Sequence, residues 1–225
     1  MDEKKIGLFI TNLRDYTNGN LNGEWVYLPC SKEDMKEVFA RRDINGNDSE
    51  YFITDYDINI HGLYNNLGEF ENLDELNYLA TLINEMESYD YDKFINILEA
   101  GIDDCRSVSD YINLTFNIDN YDILPAHNDA ELGMHIAEDL GVLDELPQIN
   151  GVDLAYYIDY EAIGRDYSIN AMGNFGRDGF VERIWDDEEC FQEVPDEYKI
   201  KPDMSIENEK LVANSADVRE NSLVR

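Results

Sequence analysis

The chain has 225 residues and a formal net charge of −33, from 50 Asp and Glu against 17 Lys and Arg. Hydrophobic residues make up 43% and aromatics 12%. This composition excludes a disordered acidic tail, which lacks core-forming residues. The same charge would be repelled by nucleic acid and anionic membranes and so points to basic partners. No apolar run approaches the ~20 residues that span a bilayer, and the N-terminus lacks the long apolar region of a signal peptide. Cys30, Cys105 and Cys190 are odd in number and far apart. Neither a disulfide framework nor a zinc knuckle is signalled, and a reducing cytoplasm fits.

In chain order, residues 6–58 read as a small α/β unit. Ile6–Ile10 and Trp25–Leu28 are expected strands, joined through the two Asn-Gly turn signals of residues 17–23 in a hairpin-like connection. Ser31 caps a helix running to about Arg42, with Asp34 near its third position. Glu50–Ile58 alternates as a third strand.

Residues 71–114 read as helical. Asn72 and Glu75 form a capping-box variant. Leu73, Leu76, Ala80, Ile83 and Met86 then share one face, and Asp74, Thr81 and Glu85 are expected in solvent on the other. A second helix is expected from about Asp90 to Ala100, with Gly101 as its C-cap. A third follows Ser107 or Ser109.

Residues 118–185 read as a further α/β unit. Ile118–Leu124 is an expected strand. Asn128 and Glu131 cap a helix with an inner face of Leu132, Ile136 and Leu140, ended by Gly141. Asn150 and Asp153 are expected to open another helix, ended by Gly164, whose apolar arc passes half the circumference. So wide an arc calls for two packing partners, its own core and a second subunit. Ile169–Phe175 and Phe180–Trp185 could pair as strands. The tail after Pro202 is polar and without periodicity. Residues 201–225 hold four basic and five acidic residues, so a net −32 falls within residues 1–200.

Chemical motifs are weak. Asp43-Ile-Asn45-Gly-Asn47 resembles the start of a calcium loop, but Asp48 and Thr54 stand where that loop needs Gly and Glu. Glu131, His135 and Glu138 share a helix face that reads as solvated rather than metal-binding. Gly173, Gly176 and Gly179 do not join a strand to a helix as a phosphate cradle would, and read as turn glycines. With 50 acids, carboxylate pairs suited to acid–base catalysis arise by chance. The residues demand no enzyme and no cofactor.

Three ordered segments carry a family resemblance. The first is Asn12-Leu-Arg-Asp-Tyr16-Thr-Asn-Gly19-Asn-Leu21-Asn-Gly23-Glu-Trp25. The second is Tyr51-Phe-Ile-Thr-Asp55-Tyr56-Asp57. The third is Leu143-Asp-Glu-Leu-Pro147 followed by Tyr157-Ile-Asp-Tyr160-Glu-Ala-Ile-Gly164-Arg165-Asp166. Together, over about residues 6–185, they resemble the ArdA antirestriction family, and the third is similar to its antirestriction motif. The resemblance implies a cytoplasmic mimic of B-form DNA, encoded on mobile DNA, that binds type I restriction–modification enzymes. It also implies a curved rod of three small domains that dimerises through the third.

The expected fold is therefore α+β and elongated, with a strongly acidic surface. The expected domains are 1–61 (α/β), 62–104 (helical) and 105–185 (α/β, with the motif and the dimer contact), followed by an acidic then polar extension, 186–225, that departs from the family. Duplex DNA carries one charge per ~1.7 Å, so 33 charges match roughly 56 Å of duplex. On the mimicry reading, the candidate partner-binding carboxylates are Asp55, Asp57, Asp74, Glu75, Glu85, Asp103, Asp104, Glu131, Glu138, Asp159, Glu161 and Asp166. The apolar arc and the resemblance together give Leu154, Tyr156 and Ile158 as the dimer contact. Two other readings stay open: an acidic adaptor for another basic protein, and a hydrolase using a carboxylate pair.

Overall fold

The protein is described from a computed structural model, which covers residues 5–44, 50–63, 66–103, 105–141, 143, 146, 150–186 and 190–202. The chain is mixed α and β and divides into two compact units. One comprises residues 1–59, 67–84 and 193–225, the other residues 60–66 and 85–192.

The first unit is built on β1 (Ile6–Asn12), β2 (Gly23–Leu28) and β3 (Tyr51–Ile58), in the antiparallel order β2-β1-β3. Alternation buries Ile6, Leu8 and Ile10 of β1 with Val26 and Leu28 of β2. A short helix, α1 (Leu13–Thr17), lies in the β1–β2 connection. Helix α2 (Lys32–Arg41) begins with the expected capping box, in which the Ser31 hydroxyl accepts from the Asp34 N–H. Its Met35, Val38 and Phe39 are buried, and the Phe39 ring meets Tyr51 of β3 at 5.1 Å.

Helix α3 (Leu73–Glu85) buries Leu73, Leu76, Ala80 and Ile83 as its periodicity predicts. Its other face is not simply solvated. Asp74 accepts from the Ile200 and Lys201 N–H groups, both at 2.7 Å. Thr81 is half-buried and donates to the Asn77 carbonyl. The buried Asn77 amide accepts from the Cys30 N–H and donates to the Tyr198 carbonyl, each at 2.9 Å. Val194 and Ile200 are buried in the same unit. A segment beyond the family-like region thus supplies partners for backbone and side-chain groups around α3, a long-range pairing that periodicity cannot reveal.

In the second unit, α4 (Ser88–Ala100) starts two residues earlier than expected and ends at Gly101, whose φ of 64° suits a left-handed cap. Ser107 caps α5 (Val108–Phe116). The expected strand over 118–124 is shorter. Residues Ile118–Asn120 form a 3-10 turn, and β4 spans Tyr121–Leu124. Helix α6 (Asp129–Asp139) is capped by Asn128 and buries Leu132, but Leu140, at its C-cap, is 73% exposed rather than on the inner face.

The expected helix from Asn150 to Gly164 does not form. Asp153 caps only a 3-10 turn, Leu154–Tyr157, after which Ile158 is extended. Asp159 then caps α7 (Tyr160–Ala171), which runs through Gly164 rather than stopping there. The reason is close packing. A Cβ on Gly164 would lie 1.8 Å from the Asp129 carbonyl oxygen, and one on Gly133 would lie 1.8 Å from that of Tyr160. Glycine at both positions lets α6 and α7 cross backbone to backbone. Met172, at φ 52°, ends α7 and shortens the strand expected over 169–175 to β5 (Asn174–Phe175). Strand β6 (Phe180–Arg183) stops before Trp185 and completes an antiparallel sheet in the order β4-β6-β5. Leu132, Ala126 and Phe180 form this core, with Ile136, Tyr167, Ala171 and Phe175 packed on it.

Candidate functional site

No three His, Cys, Asp or Glu side chains gather for a metal among the described residues. Glu131 is turned to its helix terminus, accepting from the His127 N–H at 2.9 Å and the Asn128 amide at 2.8 Å. His135 faces Asp139 at 3.4 Å. Most of the calcium-like segment, residues 45–49, lies outside the described residues. Gly176 donates its N–H to the Gly179 carbonyl at 2.8 Å, in the β5–β6 turn. None of the three cysteines is in a disulfide, and burial pushes the Cys30 thiol up to about 12. No described helix is long and apolar enough to cross a membrane.

The remaining candidates are the carboxylates, and they fall into two groups. Asp55, Glu85, Glu138, Glu161 and Asp166 are exposed. Glu161 keeps one loose partner, Arg165, at 3.9 Å. The second group has local work. Asp57 pairs with Lys5 and accepts from the Tyr27 hydroxyl. Asp103 accepts from the Tyr121 hydroxyl and lies 3.5 Å from Arg183. Asp159 caps α7 through the Ala162 N–H at 3.0 Å. Glu75 accepts from the Asn72 amide at 3.3 Å, and Asp74 holds Ile200 and Lys201. Asp104 lies outside the described residues. Several acids chosen from the sequence as phosphate stand-ins are therefore also structural. The cap role was readable at Glu131, beside Asn128 at a helix start, but not at Asp159, which the sequence placed inside a helix from Asn150 to Gly164, and no local pattern marks the distant partners of Asp74 or Asp103.

Several cations among the described residues are matched within their own units. Arg41 and Arg42 converge on Glu24 at 2.7 and 3.2 Å. Arg177 pairs with Asp178 at 2.8 Å and Asp92 at 3.4 Å, Arg14 with Asp43 at 2.5 Å, and Lys199 with Asp196 at 2.7 Å. Each such pair is close to a dipole at a distance, so the long-range field comes from the unmatched acids.

Crowding of like charges is expected to raise carboxyl pKa values. The resolved shifts run the other way. Arg41 beside Glu24 holds its carboxyl below the ordinary 4.5, and Lys5 does the same for Asp57 below 3.8. The His127 N–H lowers Glu131, Ser31 lowers Asp34, Arg177 lowers Asp178, and Lys199 lowers Asp196. A carboxyl depressed on folding binds fewer protons in the native state than in the unfolded one. Its stabilisation is present above the unfolded value and is lost as pH falls through the folded one. The melting temperature is expected to hold from neutrality to about pH 4.5 and then fall as these groups protonate. Thermal melts from pH 7 to pH 2.5 check this; a melting temperature that rises below pH 4.5 would contradict it.

The dimer candidates sit in and beside the 3-10 turn. Tyr156 is 87% exposed, while Leu154 and Ile158 are half-buried. The wide helical arc that suggested them is absent, but Tyr156 and Tyr157 of the turn, and Val152 just before it, are exposed.

No curated protein sequence matches the chain. A family model described as antirestriction protein (ArdA) matches residues 8–182, most of the sequence and both sheets, and the chain belongs to that family of antirestriction proteins.

Proposed function

We propose that the protein is an inhibitor that mimics the shape and charge of B-form DNA and competes for the DNA-binding groove of type I restriction–modification enzymes. The observation that carries this reading is the net charge of −33 on a folded chain in which several of the few cations, Arg41 and Arg177 among them, are already paired with the chain's own acids. Such enzymes hold DNA mainly through Lys and Arg on phosphates, a term without sequence information. Exposed carboxylates satisfy those cations while offering no base edges and no scissile bond. Inhibition is then stoichiometric and without turnover, and the protein needs no cofactor. Its place is the cytoplasm, with the enzymes, on behalf of the mobile DNA that encodes it. A competition assay of type I enzyme, labelled duplex and this protein tests the reading. Displacement of duplex at equal stoichiometry supports it; simultaneous binding of duplex and protein rejects it and favours an acidic adaptor.

The active form on this proposal is a homodimer joined through the third expected domain, with Leu154, Tyr156 and Ile158 at the contact. The exposed Tyr156 and Tyr157 support it, since large apolar rings open to water favour association. Tyr156→Asp is expected to yield monomers without loss of fold, because the ring is outside the core. Sedimentation at micromolar concentration checks this; wild-type protein that sediments as a monomer removes the idea.

A further inference from the structure

The open face of the β2-β1-β3 sheet carries two parallel rows of side chains. Residues directly opposed on antiparallel strands point to the same face. The register places Tyr27, Gly7 and Asp57 in one row and Trp25, Phe9 and Asp55 in the next. The first row holds a cation of the chain's own. Lys5 Nζ lies 4.7 Å over the Tyr27 ring and pairs with Asp57, which also accepts from the Tyr27 hydroxyl at 3.2 Å. Gly7 makes this possible: a Cβ there would sit 2.6 Å from the Tyr27 ring, so the ring lies flat across β1.

The second row repeats the arrangement without the cation. The Phe9 ring covers Gly23, where a Cβ would meet it at 2.3 Å. Trp25 stands 5.2 Å from Phe9 and stacks on Tyr27 within 13°. Trp25 is 39% exposed and Tyr27 46%, so the rings are open to solvent. Asp55 is exposed at the end of the row and accepts the Tyr56 N–H at 2.8 Å. No Lys or Arg among the described residues pairs with Asp55.

We propose that this second row seats an arginine side chain of a basic partner protein, its guanidinium laid against Trp25 and Phe9 and paired with Asp55, as Lys5 is seated on Tyr27 and Asp57. Arginine is the occupant because a flat, weakly hydrated guanidinium stacks on indole while keeping its N–H donors in plane for a carboxylate. The charge of −33 draws cations to the face. Carboxylates already favour arginine through bidentate pairing, and the indole of this row adds a stacking preference that scattered carboxylates lack. The inference rests on the reading that the partner is a basic protein surface, and it names the residue type taken.

The test is a calorimetric titration of the full chain with hexa-arginine and hexa-lysine peptides. Wild-type protein is expected to prefer hexa-arginine, and Trp25→Leu to lower that preference by about two- to fivefold, the worth of one exposed cation–π contact. Trp185→Leu, removing the other indole, should leave the preference unchanged. Asp55→Asn should weaken hexa-arginine more than hexa-lysine. Lys5→Ala should widen the preference by opening the first row. An arginine-to-lysine ratio that is the same in wild type and Trp25→Leu overturns the proposal. The titration contains no restriction enzyme, so its failure leaves competitive inhibition intact, and a failed competition assay leaves this result intact.

Discussion

Gly164→Ala is expected to destabilise the second unit strongly, although alanine is ordinarily the better helix former by roughly 0.5–1 kcal/mol. The added methyl would sit 1.8 Å from the Asp129 carbonyl oxygen, against backbone that no rotamer change can move. The neighbouring Gly133 N lies 2.8 Å from the same point. Relief requires α6 and α7 to separate, which opens the core where Leu132, Ile136 and Tyr167 meet. Overpacking usually costs about 1–3 kcal/mol. A rigid clash between two backbones belongs at or above the top of that range. Gly133→Ala should behave alike, because its methyl meets the Tyr160 carbonyl oxygen. Urea unfolding measures both. A Gly164→Ala protein as stable as wild type would mean that the helices do not cross at these residues.

This crossing also marks the limit of what the sequence discloses. A glycine near the end of an apolar helical pattern is ordinarily a stop signal, and Gly164 reads that way locally. Only the partner glycine, 31 positions earlier and on another helix, changes its meaning from cap to contact. The same division runs through the molecule. Ser31, Ser107 and Asn128 cap their helices as their short-range patterns imply, and the strand expected over Glu50–Ile58 forms over Tyr51–Ile58, although its burial does not alternate: Tyr51, Phe52 and Ile53 are all buried beside a register shift. These signals need a window of a few residues. Asp74 looks like a solvated helix-face acid in such a window, and becomes a bond acceptor for residues 126 and 127 positions away. The family was legible because its motif residues are ordered along the chain. The local duties of Asp57 and Asp103 were not, because their partners come from other elements.

That division decides which acids can test mimicry. Substituting Asp74 or Asp159 would mix loss of partner binding with loss of local structure, since each holds backbone N–H groups. Glu85, Glu138, Glu161 and Asp166 are exposed, and their side chains hold no backbone N–H among the described residues. Converting any one to its amide is expected to weaken inhibition by less than about fivefold, because one exposed charge pair is worth roughly 0.2–1 kcal/mol. Converting all four should multiply those losses into a drop of roughly four- to a thousandfold, if the sites act independently. The dependence on salt gives a second, independent measure. A protein that replaces about six or more phosphates in the groove should lose on the order of a thousandfold in affinity between about 50 and 200 mM salt. Each carboxylate removed from the contact should flatten that slope by about one. The quadruple variant should keep the wild-type melting temperature at pH 7, since no cap or buried pair is touched, so a loss of inhibition would be a loss of charge and not of fold. If one amide substitution alone abolished inhibition, or if the quadruple variant inhibited as well as wild type at every salt concentration, binding would lie in a focused site rather than in a distributed field, and the resemblance to a phosphate backbone would have no bearing on how the protein works.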